Sequence, residues 1–120
     1  MFENPKITTV GFDTDKIGEF ELEKIQSIIE KAFNEISKKT DITSLKIHLK
    51  IHSDAGGRHK YSTHAHIITN VGAFDCEDFE WNAFGSVSKT LEVLEKQVKK
   101  HISKKTAITK DKLYKAKEIE

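Results

Sequence analysis

The sequence predicts an α+β fold: a β-α-β-β-β-α two-layer sandwich, a four-stranded sheet with both helices on one face. Three observations predict it. Two segments, one early and one late, carry apolar residues at 3- and 4-residue spacing. Between them, residues 44–52 and 61–69 alternate apolar and polar side chains, as half-buried strands do. The stretch joining those strands holds Gly56-Gly57, which can take the positive φ of a tight turn.

The elements follow in order. ITTVGFD (7–13) is a short strand rich in β-branched residues. From about 19 to 39, Leu22, Ile25, Ile29, Ala32, Phe33 and Ile36 mark one face of a helix. Glu19, Glu21 and Glu23 near its start and Lys38 and Lys39 at its end suit the helix dipole, which explains those charges without catalysis. In SLKIHLKIH (44–52), Leu45, Ile47, Leu49 and Ile51 share a face, and Lys46, His48, Lys50 and His52 take the other. SDAGGRH (53–59) turns, and YSTHAHIIT (61–69) returns. Centring the hairpin near Gly56 pairs Ile47 with Ala65, Leu45 with Ile67 and Ile51 with Tyr61, so apolar meets apolar throughout.

After the turn NVG (70–72), AFDCE forms a third antiparallel strand whose Phe74 and Cys76 share a face. The last helix starts near Asn82, a natural N-cap, and is expected to run to about 104 on the stripe Phe84, Val87, Leu91, Leu94 and Val98. Gly85 costs it roughly 1 kcal/mol of propensity and is expected to mark close packing on the sheet. Residues 1–105 thus form one α+β domain, and 106–120 a basic C-terminal tail too poor in apolar residues to join a core.

Composition narrows the class. One domain of 120 residues can bury a single modest core. The lone Cys76 excludes an internal disulfide and a Cys-based zinc motif, which fits a reducing cytosol. No signal-like segment or run of about 20 apolar residues is present, so a cytoplasmic protein with no membrane partner is expected.

The formal charge of +1 hides a strong division. Residues 1–45 carry 6 Lys and 9 acids; 71–98 carry 2 Lys and 6 acids. Residues 46–70 hold 4 Lys or Arg against one Asp, and 99–120 hold 8 Lys against 3 acids. A chain polarised in this way can hold phosphate with one region while remaining neutral overall.

Other chemistry fits less well. The hairpin register sets His48 across from His64 and Lys46 across from His66, gathering His48, His64 and His66 on the open sheet face. Three imidazoles could bind zinc or nickel. No Asp, Glu or Cys lies near them in that register, and Lys46 and Lys50 would repel a cation. Solvated histidines and no metal or cofactor are therefore expected. Ser53, Ser62 and Thr63 lie near histidines but lack an orienting carboxylate, which argues against a hydrolytic triad. The DAGG turn is not a phosphate-binding loop, since it lacks GxxxxGK[ST] and precedes a strand. Cys76 is expected to be a small core residue and Trp81 a packing residue, although an exposed indole would offer a stacking face.

From Tyr61 to Ile102 the chain resembles the ribosome hibernation-promoting factors, also called the ribosome-associated inhibitor or sigma-factor modulation family. Tyr61, Ile67 and Gly72 stand where that family usually has Tyr, Ile and Gly, and Glu77 falls in its acidic stretch before the helix. The family's Asp-Met-Tyr helix opening is here Asn82-Ala83-Phe84, and its Leu-Glu-Arg-Gln-Ile-Arg-Lys helix end is Leu94-Glu95-Lys96-Gln97-Val98-Lys99-Lys100. The first 60 residues agree in element order and pattern rather than in motif. Three departures stand out. Asp75 occupies a position where many members are basic, which would remove one phosphate contact. Asn82 and Phe84 replace the helix-opening Asp and Tyr. The chain stops soon after the helix, so the short form, without the C-terminal domain by which long members pair ribosomes, is expected.

The resemblance implies a domain related in shape to double-stranded-RNA-binding folds, and a translation inhibitor that lies in the decoding region of the small ribosomal subunit and occludes mRNA and tRNA. It would be no enzyme, take no small-molecule substrate and be a monomer off the ribosome. Carried over position by position, the rRNA-contacting residues would be Lys96, Lys99 and Lys100. The charge distribution adds Arg58, Lys60, Lys89, His101, Lys104 and Lys105. Two alternatives stand beside this reading: a general double-stranded-RNA-binding module, and a metal-binding or small enzymatic domain built on the histidine face.

Overall fold

The structure is a computed structural model that describes residues 4–13, 15, 17–53, 56 and 59–119, with 103–119 as helical backbone only. Its elements are β1 (Ile7–Val10), α1 (Glu19–Ser37), β2 (Ile42–Ser53), β3 (His59–Thr69), β4 (Gly72–Glu80) and α2 (Ala83–Ile119). They form one four-stranded sheet of order β1-β2-β3-β4, with β1 parallel to β2 and the other pairs antiparallel. The β-α-β-β-β-α order is the expected one.

The β2–β3 register is also as expected: Leu45 opposes Ile67, Ile47 opposes Ala65, and Ile51 opposes Tyr61. One face of this ladder is apolar, and both helices cover it. Leu22, Ile25, Ile29, Ala32, Phe33 and Ile36 of α1 are buried, as are Val87, Leu91, Leu94 and Val98 of α2, against Leu45, Ile47, Leu49, Ala65 and Ile67. The stripe on each helix and the alternation on each strand therefore meet in one core, which the hydrophobic effect favours. A small polar seam runs through it. Thr63 Oγ1 lies 2.7 Å from Ser86 Oγ, Ser86 Oγ donates to the Asp78 carbonyl at 3.3 Å, and Thr90 Oγ1 donates to the Ser86 carbonyl at 2.8 Å. No buried side-chain nitrogen or oxygen among the described residues lacks a partner.

Four differences from expectation have local causes. β1 ends at Val10 rather than at 13 because Gly11 turns the chain away with φ +87°, and a Cβ there would strike the Leu49 carbonyl oxygen. Gly85 does not mark packing on the sheet. A Cβ at that position would instead meet Asn82 Oδ1 at 2.8 Å, the same oxygen that accepts the Gly85 N–H as the helix N-cap. The residue of that turn that reaches the sheet is Ser86. Glu21, expected to serve only its own helix, also accepts the Phe84 N–H at 3.1 Å and so caps α2 from α1. Finally, α2 does not stop near 104 but continues to Ile119, since residues 103–119 contain no Gly or Pro and are rich in helix formers.

Candidate nucleic-acid interface

α2 runs back along β4, so residues far apart in its sequence lie at opposite ends of the sheet. Its start adjoins Glu80, which pairs with Tyr61, while His101 packs edge-on against Phe74 with ring centroids 5.3 Å apart. The expected contact residues therefore fall into two groups separated by the length of β4 between Phe74 and Glu80, about 20 Å. Lys60 and Lys89 stand at one end, and Lys99, Lys100 and His101 at the other, with Lys96 between. Arg58 lies outside the described residues, as do the side chains of Lys104 and Lys105.

Helical spacing puts Lys89, Lys96 and Lys100 on the outward line of α2, opposite the buried Val87, Leu94 and Val98. Most of these cations are already paired. Lys89 lies 3.1 Å from Glu80 and 3.8 Å from Asp78, and the Glu80 hydrogen bond, helped by Asp78, raises its pKa. Lys96 pairs with Glu92 at 3.3 Å and Lys99 with Glu95 at 3.8 Å. In both, the acid precedes the lysine by four residues, the favourable orientation on a helix. Lys100 is exposed and makes no ion pair with the described residues. The surface is a row of lysines interleaved with carboxylates. Exposed pairs of this kind are worth only about 0.3–0.5 kcal/mol each, so a phosphate could take the ammonium from its partner at small cost.

The open face of the sheet keeps the expected pairs, His48 with His64 and Lys46 with His66. The expectation that no carboxylate lies near these histidines is overturned by β4, which sets Asp75 opposite His66 and Glu77 opposite His64. The tight turn pairing Thr69 with Gly72 fixes that register. Asp75 Oδ1 accepts from His66 Nδ1 at 2.7 Å and from His64 Nε2 at 2.9 Å. The His66 hydrogen bond lowers the Asp75 pKa, against an opposing effect of burial, and the charge of His66 and the contact with His64 add to the lowering. Asp75 thus anchors two imidazoles on the open face. No group of three or more His, Cys, Asp or Glu side chains among the described residues is arranged to hold a metal ion.

His52 Nε2 lies 3.0 Å from Ser62 Oγ, but of the two carboxylates on this face Asp75 holds His64 and His66, and no hydrogen bond joins Glu77 to His52, so no Ser-His-acid chain is assembled among the described residues. Cys76 is half-buried at the core margin. Its thiol donates to the Thr90 carbonyl at 3.0 Å, and burial, aided by Asp78 and Asp75, pushes its pKa up to about 11.

Trp81 is not a packing residue: it is 54% exposed. Phe79, which the sequence reading passed over, is 45% exposed, and Lys60 Nζ sits 5.0 Å from its ring centroid and 5.8 Å from that of Trp81. The alternation of β4 could have located Phe79, since Phe74 and Cys76 lie on the opposite face. Among the described residues, no helix is long and apolar enough to cross a membrane.

No family model matches the chain, and no curated protein matches it either. Among solved structures it is similar to the N-terminal domain of Protein Y from Thermus thermophilus, at 13% identity and a TM-score of 0.53. That likeness covers 81% of this chain and 97% of the other, and at such identity it is a likeness of fold, the four-stranded sheet with two helices.

Proposed function

We propose that this protein is a ribosome-associated translation inhibitor that binds the small subunit in its decoding region, excludes mRNA and tRNA there, and catalyses nothing. The observation that carries this reading is the family resemblance between Tyr61 and Ile102, which implies the same β-α-β-β-β-α order that the chain adopts. The fold likeness to the Protein Y domain supports it independently of motif. In this reading, Lys96, Lys99 and Lys100 meet rRNA phosphate from one end of α2, and Lys89 and Lys60, with Arg58, do so from the other. Lys104, Lys105 and His101 extend the first group. Two anchor regions about 20 Å apart would fix orientation as well as affinity. The protein would act in the cytoplasm as a monomer off the ribosome.

The test is sedimentation of cell lysate and of a reconstituted mixture through sucrose gradients, followed by a translation assay with purified ribosomes. Co-migration with small subunits and arrest of initiation are expected. Protein remaining at the top of the gradient at low salt would refute the reading. Ribosome binding that excess duplex RNA fully competes away would favour the general double-stranded-RNA module.

A further inference from the structure

The open sheet face carries a feature that phosphate contacts along α2 leave unused. Ser62 opposes Phe79, and Lys60 opposes His52, so Phe79 and Lys60 project from the face that the helices do not cover. Phe79 and Trp81 are both about half exposed, and the Lys60 ammonium is within cation–π reach of each ring. Next to this pair lies a shallow depression lined by Lys50, His52, Ser62, Glu77 and Phe79. Two accessible aromatic faces, one cation within reach of both and hydrogen-bonding groups beside them are what an unpaired nucleotide requires. The base stacks on a ring, the phosphate takes the ammonium, and polar side chains meet the base edge.

We propose that Phe79 and Trp81, with Lys60 and Lys50, form a stacking platform for a short segment of single-stranded nucleic acid. The occupant is argued from charge and shape together. Lys50 lines the depression and Lys60 reaches both rings, against Glu77 as the one carboxylate among the lining residues, so the site favours an anion. A double helix, whose bases are already stacked on each other, cannot use exposed rings in this way. The platform is separate from Lys96, Lys99 and Lys100; it shares Lys60 with the proposed rRNA contacts but does not depend on the ribosomal reading.

Trp81 is the only tryptophan in the chain, so its fluorescence reports on this site alone. The probe is an eight-nucleotide oligouridylate titrated into the whole protein, with a blunt RNA duplex and inorganic polyphosphate as controls. Saturable quenching by the single strand, but by neither control, is expected. Anisotropy of the labelled oligonucleotide should show Phe79→Ala and Trp81→Ala weakening binding roughly 5- to 100-fold each, with Trp81→Phe restoring most of it. Melting temperatures should hold, because both rings are exposed, and the variant lacking Lys96, Lys99 and Lys100 should quench like wild type.

Equal quenching by polyphosphate or duplex, or an unchanged affinity in both alanine variants, would overturn the proposal. So would concentration-dependent self-association that Trp81→Ala abolishes while oligonucleotide affinity stays the same, because the face would then be an interface between copies. Quenching without ribosome co-sedimentation would leave the platform standing and remove only the ribosomal reading.

Discussion

Replacing Lys96, Lys99 and Lys100 together by Ala separates a phosphate-binding helix end from an ordinary solvated one. If each ammonium meets a phosphate, each contact releases condensed counterions, and the slope of log K against log salt should flatten by about 2.1–2.7 for the three. Between 50 and 200 mM salt, wild-type affinity for small subunits should then fall roughly 20- to 40-fold more than that of the variant. Stability should barely move. Lys96 is 75% exposed and Lys99 47%, and each loses only a surface pair with a glutamate four residues earlier. A converse variant, Glu92→Gln with Glu95→Gln, frees both ammonium groups and should tighten binding. Neutralising Glu23, Glu30 and Glu35 of α1 should change neither affinity nor slope. The assay is filter binding to purified small subunits at several salt concentrations. An unchanged dissociation constant and slope for the triple lysine variant would refute the reasoning.

The core supports further expectations. Leu94 is fully buried between sheet and α1, so Leu94→Ala should destabilise by about 2–5 kcal/mol in chemical denaturation. Ser86→Ala takes the acceptor from the buried Thr63 hydroxyl and should cost about 1–3 kcal/mol, and adding Thr63→Val should cost less than the sum of the two single changes. Because the Asp75 pKa is lowered on folding, its contribution is present above the ordinary carboxylate value and lost as pH falls through the folded one. Asp75→Asn should therefore lower stability at neutral pH by less than about 1 kcal/mol, given its exposure, with the gap closing below pH 3.8 in pH-resolved melting. Cys76 should resist iodoacetamide at pH 8 in the folded protein, with alkylation rising toward pH 11.

How much of this was legible depended on how local the signal is. The β2–β3 register followed from two period-2 patterns and one turn, because a slip by one residue would have turned Ile47 and Ile67 to solvent. The same logic applied to the turn at Asn70 would have brought Asp75 to His66, but extending a register across a third strand requires knowing the turn geometry. The pairs Glu92–Lys96 and Glu95–Lys99 were readable from their spacing alone. The separation of the two basic groups was not, since it depends on α2 folding back along β4. Segment charges carry no such direction. Trp81 was misjudged because an aromatic residue at a helix start is usually buried, and only the path from β4 into α2 leaves it on the open side.

The fourth strand is one edge of the sheet, and its outer backbone groups have no neighbouring strand among the described residues, which makes it a natural place for a second chain to add on. With a formal charge of only +1, the molecule has little overall repulsion to keep copies apart. The guard is local: Asp75, Glu77, Asp78 and Glu80 crowd the nine residues of β4, so two such edges brought side by side would set carboxylate against carboxylate. The acidic stretch ahead of α2 is therefore a solubility device as well as a sequence landmark. Replacing all four by their amides would leave a long bare edge at neutral pH, where net charge offers little protection, and concentration-dependent association along β4 is then the expected outcome.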